Sequence, residues 1–207
     1  MVKELNLHLY EGNGVSISDR KQVLPDYETM IDIDNPEYYI AGEGLRNAVN
    51  VALALGQPLL VTGEPGTGKT QLAASIAHEL DLPLLKFYTK TTSTAVDLFY
   101  QYDALRRFQD VQMIKDENHP GIDIDNYITY QALGMAILLN FPPENVKKYL
   151  PEKLQDTGPT RSVVLIDEID KAPRDLPNDL LNEIEKMEFK VKETGKTFEA
   201  EKRFRPI

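Results

Sequence analysis

The stretch VTGEPGTGKTQ, residues 61–71, decides the fold expected for this chain of 207 residues. It satisfies the phosphate-loop pattern G-x-x-x-x-G-K-[ST] with Gly63, Gly68, Lys69 and Thr70. The apolar run Leu59–Thr62 precedes the loop and predicts a buried strand, and the run KTQLAASIAHEL that follows predicts an amphipathic helix. A phosphate-binding loop lies between a strand and a helix, so the pattern predicts an α/β fold with a nucleotide site.

The residue types of the loop explain how it would hold phosphates. The glycines allow positive φ and let backbone N–H groups approach a phosphate, and the helix that begins near Lys69 directs its positive end to the same place. Lys69 adds a mobile charge near the β- and γ-phosphates, and Thr70 offers a hydroxyl to Mg²⁺. The predicted nucleotide-binding residues are Gly63, Glu64, Pro65, Gly66, Thr67, Gly68, Lys69, Thr70 and Gln71.

A second candidate feature is the run VVLIDEID, residues 163–170, in which Asp167 and Glu168 directly follow apolar residues. Ligands of an open parallel sheet bind at the carboxyl ends of its strands, so Asp167 is expected to reach the Mg²⁺ held by Thr70. Glu168 would then polarise a water for attack on the γ-phosphate, which makes Glu168 and Lys69 the predicted catalytic residues. The alternatives are a solvated strand end for these acids and a helix N-cap for Asp170.

Composition narrows the function classes. The net charge of −10 repels phosphate backbones and weighs against a nucleic-acid partner. A local basic channel or a DNA-directed motor is the alternative. The longest apolar run, near residues 49–55, is too short to span a bilayer, so no membrane role is expected. The sequence has no cysteine, which excludes thiolate catalysis and fits a reducing cytoplasm.

Alternating patterns along the chain predict a parallel α/β sheet. The expected strands are Leu59–Thr62, Leu84–Thr89 and Val163–Asp167. The run EGLRNAVNVALAL predicts a helix that ends at Gly56. The runs AVDLFYQYDALRRFQ and YITYQALGMAILL are also expected to be helical, the first either continuous or broken near Gln101. The run EFKVKETGKTFEA predicts a hairpin around its glycine turn. Residues 1–38 are expected to be an N-terminal extension or linker, and residues 39–207 the nucleotide-binding core.

The runs GEPGTGKT and VVLIDEIDKAP together resemble the Walker A and Walker B motifs of AAA+ ATPases. The predicted hairpin resembles the insertion before sensor 1 in MoxR-like members, and GEGLRNAVNVALALGQPLLVTGEPGTGKTQLA is similar to the start of a MoxR-type core. The resemblance covers about Tyr39–Ile207. It implies a three-layer P-loop NTPase sandwich that binds ATP and Mg²⁺ through Lys69, Thr70 and Asp167, with Glu168 as general base. It also places Tyr39–Gly42 at the wall of the adenine pocket, with an ordinary linker as the alternative.

The same resemblance implies that the core is incomplete. The family orders its strands 5-1-4-3-2, and strand 4 would begin at RFRPI, so the chain is expected to be truncated before sensor 1, the arginine finger and the helical lid. Arg203 and Arg205 are more simply the charged flank of a strand.

Two functions are compatible with the resemblance. One is the ATP-hydrolysing core of a MoxR-like chaperone or remodelling ATPase, which forms a homo-oligomeric ring and acts on protein partners such as a von Willebrand A-type protein. The other is a non-hydrolysing nucleotide-binding or interaction module.

Overall fold

The computed structural model describes residues 35–113, 123–201 and 206–207, apart from the side chains of Leu181 and Asn182. Predictions for residues 1–34 and for Arg203 and Arg205 lie outside these ranges. Short 3₁₀ turns connect the regular elements. The helices are α1 (Glu43–Leu55), α2 (Lys69–Glu79), α3 (Ala104–Met113), α4 (Ala132–Leu138), α5 (Pro143–Val146) and α6 (Leu176–Lys186). The strands are β1 (Leu84–Tyr88), β2 (Tyr100–Tyr102), β3 (Ile128–Tyr130), β4 (Val163–Asp167), β5 (Glu188–Lys190) and β6 (Thr197–Glu199).

The parallel pair β1–β4 lies between two layers of helix. Successive side chains of a strand point to opposite faces. On one face Val163 packs with Ala73 and Ala77 of α2, and on the other Leu85 and Phe87 join the main core around α4. This three-layer arrangement confirms the predicted α/β class. The register sets Tyr88 beside Asp167, so both strands end at the same edge.

The prediction of a buried strand at Leu59–Thr62 is wrong. These residues form no strand, and Leu60 is 74% exposed. An extended segment needs a neighbour for its backbone N–H and C=O groups, and no described strand pairs with this one. Beside β4, the Ile207 N–H donates to the Ser162 oxygen and the Val164 N–H donates to the Ile207 oxygen, each over 2.9 Å. That single parallel bridge is the only described pairing on this side of β4.

Two of the predicted helical runs contain strands. Tyr100–Tyr102 and Ile128–Tyr130 form the antiparallel pair β2–β3, in which Tyr100 is opposite Tyr130. Both tyrosines are buried, while the residues next to them in each strand, Gln101 and Thr129, are exposed. This period of two, carried by aromatic and β-branched side chains, favours a strand over a helix. The helices α3 and α4 begin only after these short strands.

Helix α3 is turned with its polar side toward the protein. Arg107 Nη1 donates to the Tyr102 hydroxyl over 2.8 Å, and the Tyr127 hydroxyl donates to Asp110 Oδ2 over 2.8 Å. The apolar side chains of the helix are exposed instead: Leu105, Phe108, Val111 and Met113. Within the run DALRRF, Arg107 is partly buried by its bond to Tyr102, while the other five residues are exposed.

Asp125 joins three segments that are distant in sequence. Lys148 Nζ lies 2.7 Å and Lys196 Nζ 2.6 Å from Asp125 Oδ2, and the Asp125 side chain is only 9% exposed. Lys196 also donates to the Tyr149 hydroxyl over 3.0 Å. These bonds occupy the carboxylate, and the described residues hold no cluster of three or more potential metal ligands.

We predict that Asp125→Asn lowers the free energy of unfolding at pH 7 by about 1–3 kcal/mol, because it removes charged hydrogen bonds from a buried site. Burial alone would raise the pKa of Asp125, but the two lysines outweigh it and hold this pKa below its ordinary value. The stabilisation is therefore complete above the unfolded pKa of about 4 and is lost as the pH falls through the lower folded-state pKa. Urea unfolding of both proteins between pH 7 and pH 3 measures this.

Asp156→Asn is the matched control, because Asp156 pairs with Lys147 while its side chain is 87% exposed. This variant should change stability little at any pH. A gap between Asp125→Asn and the unchanged protein that stays constant down to pH 3 would contradict the assigned role of the carboxylate.

The described residues contain no helix that is both long enough and apolar enough to cross a membrane.

Candidate functional site

The loop between residue 62 and α2 is closed by its own side chains. Lys69 Nζ donates to the Gly63 oxygen over 2.9 Å and to the Glu64 oxygen over 2.7 Å. Thr67 Oγ1 also donates to the Glu64 oxygen over 2.9 Å. An ammonium has three N–H groups, so these bonds leave Lys69 one donor for a ligand oxygen. The lysine both shapes the loop and presents a positive charge inside it.

Glycine is required where the loop enters α2. Gly68 has a φ of 80° and is the N-cap of the helix, with no side-chain hydrogen bond to the first turn. A Cβ at Gly68 would also lie 3.1 Å from Cε2 of Tyr39. The first-turn N–H groups of a helix have no intrahelical partners and favour an anion. The loop is thus shaped for a phosphate group.

Thr70 and Asp167 join the loop to the acidic strand end. Thr70 Oγ1 donates to Asp167 Oδ2 over 3.0 Å, although the residues are 97 positions apart. Thr70 stands in the first turn of α2 and Asp167 is the last residue of β4. A hydroxyl and a carboxylate oxygen are the hard ligands that Mg²⁺ prefers. The side chains predicted to hold the metal therefore meet at one point.

Glu168 is fixed by its backbone and by a neighbouring lysine. Its N–H donates to Asp167 Oδ1 over 2.9 Å, and its φ of 58° and ψ of 38° are left-handed, which is uncommon for a residue with a side chain. Its Oε1 lies 2.5 Å from Lys171 Nζ. Glu168 is also the N-cap of the 3₁₀ turn Ile169–Lys171, so the suggested N-cap role of Asp170 is wrong.

The structure brings together most of the residues predicted from the sequence. Gly63–Gln71 form one loop and helix start, Asp167 is bonded to Thr70, and Glu168 is bonded to Asp167 through its backbone. The carboxylate of Glu168, however, pairs with Lys171. Sequence reasoning missed Lys171, and the signal that could have identified it was the i,i+3 spacing within DEIDK.

Tyr39 is next to the loop, with its ring against Gly68. The preceding residues Pro36–Tyr38 form a 3₁₀ turn, and the Tyr39 N–H donates to the Pro36 oxygen over 3.2 Å. The segment predicted to line the adenine pocket therefore begins beside the start of α2. Its contact with a base stays a prediction.

Comparison with known protein families gives a match. The sequence model for the AAA domain of the dynein-related subfamily matches residues 58–207, which is more than half of the chain. The matched range contains the phosphate loop, the acidic strand end and the hairpin.

Proposed function

The chain belongs to the dynein-related subfamily of AAA domains, and from this premise we propose that it binds ATP with Mg²⁺ at residues 63–71 and hydrolyses the γ-phosphate. The observation that carries this proposal is the 3.0 Å bond between Thr70 Oγ1 and Asp167 Oδ2. It joins a phosphate-shaped loop to a carboxylate at the edge where parallel strands bind ligands.

Each residue has a role that follows from its position. Lys69 would offer its remaining N–H to a phosphate oxygen while its other two hold the loop closed. Thr70 and Asp167 would supply oxygen ligands to Mg²⁺, which when bound neutralises charge that develops on the phosphate oxygens. Glu168, one residue further along, would accept a proton from the attacking water.

The metal assignment can be tested by measuring ATP affinity with and without Mg²⁺. We predict that Asp167→Asn weakens ATP binding about tenfold or more in Mg²⁺, since a metal ligand is lost, and leaves binding in EDTA nearly unchanged. Isothermal titration calorimetry of both proteins under both conditions measures this. Asp156→Asn, an exposed carboxylate on a different segment, is the control. An equal loss of affinity with and without Mg²⁺ would show that Asp167 is not a metal ligand.

The finer proposal is a MoxR-like remodelling ATPase that acts in the cytoplasm on protein partners as a homo-oligomeric ring. The outward apolar side chains of α3 support a protein partner, because exposed apolar clusters mark interaction surfaces. The net charge of −10 weighs against nucleic acid. The proposal of a von Willebrand A-type partner rests on the family resemblance alone.

A second candidate is a module that binds ATP without turning it over. The pairing of the Glu168 carboxylate with Lys171 favours it, because a general base engaged by an ammonium is less available to a water. ATP binding with no hydrolysis, either in multiple turnover or in a single turnover, would select this candidate.

A further inference from the structure

We propose that Lys171 is a positioning residue that holds the Glu168 carboxylate in a resting arrangement and releases it when nucleotide is bound. The release rests on the proposed ATPase function, whereas the resting pair can be tested without nucleotide. Lys171 would thus set how often the base is free to meet the attacking water.

The pair is formed by a single local turn. Glu168 adopts the left-handed conformation, and the Lys171 N–H donates to the Glu168 oxygen over 2.9 Å. This turn brings the lysine side chain back to the glutamate, where Nζ and Oε1 are 2.5 Å apart. Both partners of the pair therefore lie within one 3₁₀ turn and its N-cap.

The charges around Lys171 favour this partner over others. Asp167 and Asp170 also contribute to its electrostatic surroundings, but the bond to Glu168 is the largest cause of the raised pKa of Lys171. Both oxygens of Asp167 are already engaged, one by Thr70 and the other by the Glu168 N–H. Glu168 is therefore the carboxylate that the ammonium binds.

The strength of the pair suits a reversible restraint. Lys171 is 54% and Glu168 47% exposed, and exposed ion pairs shift an equilibrium by a factor of about 1.4 to 5. Such a pair favours the resting arrangement of the Glu168 carboxylate only weakly. The negative charge of a phosphate bound nearby is enough to replace that carboxylate as the partner of Lys171. If Lys171 instead directed the Glu168 carboxylate toward the water, removing Lys171 would slow ATP hydrolysis.

The first test observes the pair directly by nitrogen-15 NMR of the lysine ammonium groups. In the nucleotide-free protein the Lys171 signal should differ from that in Glu168→Ala, which removes the carboxylate and serves as the reference for a broken pair. Adding Mg²⁺ and a non-hydrolysable ATP analogue should move the wild-type signal part of the way to that reference position, because the paired and the released carboxylate are both populated when nucleotide is bound. A signal that already matches the reference without nucleotide, or that does not move when the analogue binds, overturns the proposal.

The second test compares single-turnover ATP hydrolysis with protein in excess. Lys171→Met should hydrolyse about 1.4 to 5 times faster than wild type with unchanged ATP affinity, and Lys171→Arg should restore the wild-type rate because it keeps the pair. In Glu168→Gln the Lys171→Met change should have no effect. Lys147→Met, which removes an exposed lysine paired with Asp156, is the control. An unchanged or slower rate in Lys171→Met overturns the proposal.

The outcomes separate this inference from the proposed function. If the wild-type protein binds no ATP, the proposed function and the release step both fail. The nucleotide-free spectrum still decides whether the resting pair exists.

Discussion

A protein that carries Glu168→Gln should bind ATP as tightly as the unchanged chain and hydrolyse it at least about 100-fold more slowly. A positioned general base contributes about 10²- to 10⁴-fold to a rate, and an amide cannot accept the water proton. The substitution keeps the length of the side chain and an oxygen that Lys171 can still bond, so the turn Glu168–Lys171 should persist. Equilibrium ATP binding and single-turnover hydrolysis, measured side by side, separate the two effects.

The control for this variant is Glu152→Gln, which neutralises an exposed glutamate in another 3₁₀ turn. It should match the unchanged protein in both measurements. Equal hydrolysis by the Glu168→Gln and unchanged proteins would remove Glu168 from the mechanism. Equal absence of hydrolysis, with ATP still bound, would instead select the module that only binds nucleotide.

Gly134→Ala should lower the free energy of unfolding by about 3 kcal/mol or more, the upper end of overpacking costs. A Cβ at Gly134 would lie 2.0 Å from the Phe99 oxygen and 2.9 Å from its carbonyl carbon. This obstacle is backbone, so it cannot turn aside as a side chain does. Helix α4 and the segment before β2 would have to separate within the main core. Chemical unfolding followed by circular dichroism measures the loss.

Gly44→Ala makes the same chemical change in α1, where nothing lies within 4 Å of the new Cβ. It should stabilise the protein by about 0.5–1 kcal/mol, the usual gain of alanine over glycine in a helix. The two variants should therefore change the free energy of unfolding in opposite directions, because only the site of Gly44 has space for a methyl group. Similar stabilities for both variants would show that α4 is not packed against Phe99 as described.

The parts of the fold that the sequence predicted well have local causes. The helix α1 ends at Gly56, whose φ of 62° suits glycine, and the pattern of EFKVKETGKTFEA correctly predicted the hairpin β5–β6. The phosphate loop was predictable because its spacing reflects what a phosphate requires of a backbone. The position of Asp167, at the carboxyl end of β4, follows from one general rule, that an open parallel sheet binds its ligands at the carboxyl ends of its strands.

The parts that were missed depend on neighbours that no local pattern contains. Leu59–Thr62 has the apolar character of a buried strand, but a strand also needs a hydrogen-bonded partner. Tyr100–Tyr102 is too short for its period to be separated from that of a helix, and its state is decided by pairing with Ile128–Tyr130. Lys171 was overlooked because an i,i+3 pair on the surface usually has little effect, and only the role expected of Glu168 makes this pair matter.

The way the hairpin β5–β6 is packed has a practical consequence for protein engineering. Phe189 stacks on Phe99 with ring centroids 5.2 Å apart, and Phe198 meets Tyr149 edge to ring at 5.7 Å. Deleting the hairpin would remove aromatic side chains from the centre of the domain. A reporter dye or an epitope inserted in this hairpin belongs at its tip, where Gly195 is exposed and turns with a φ of 73°.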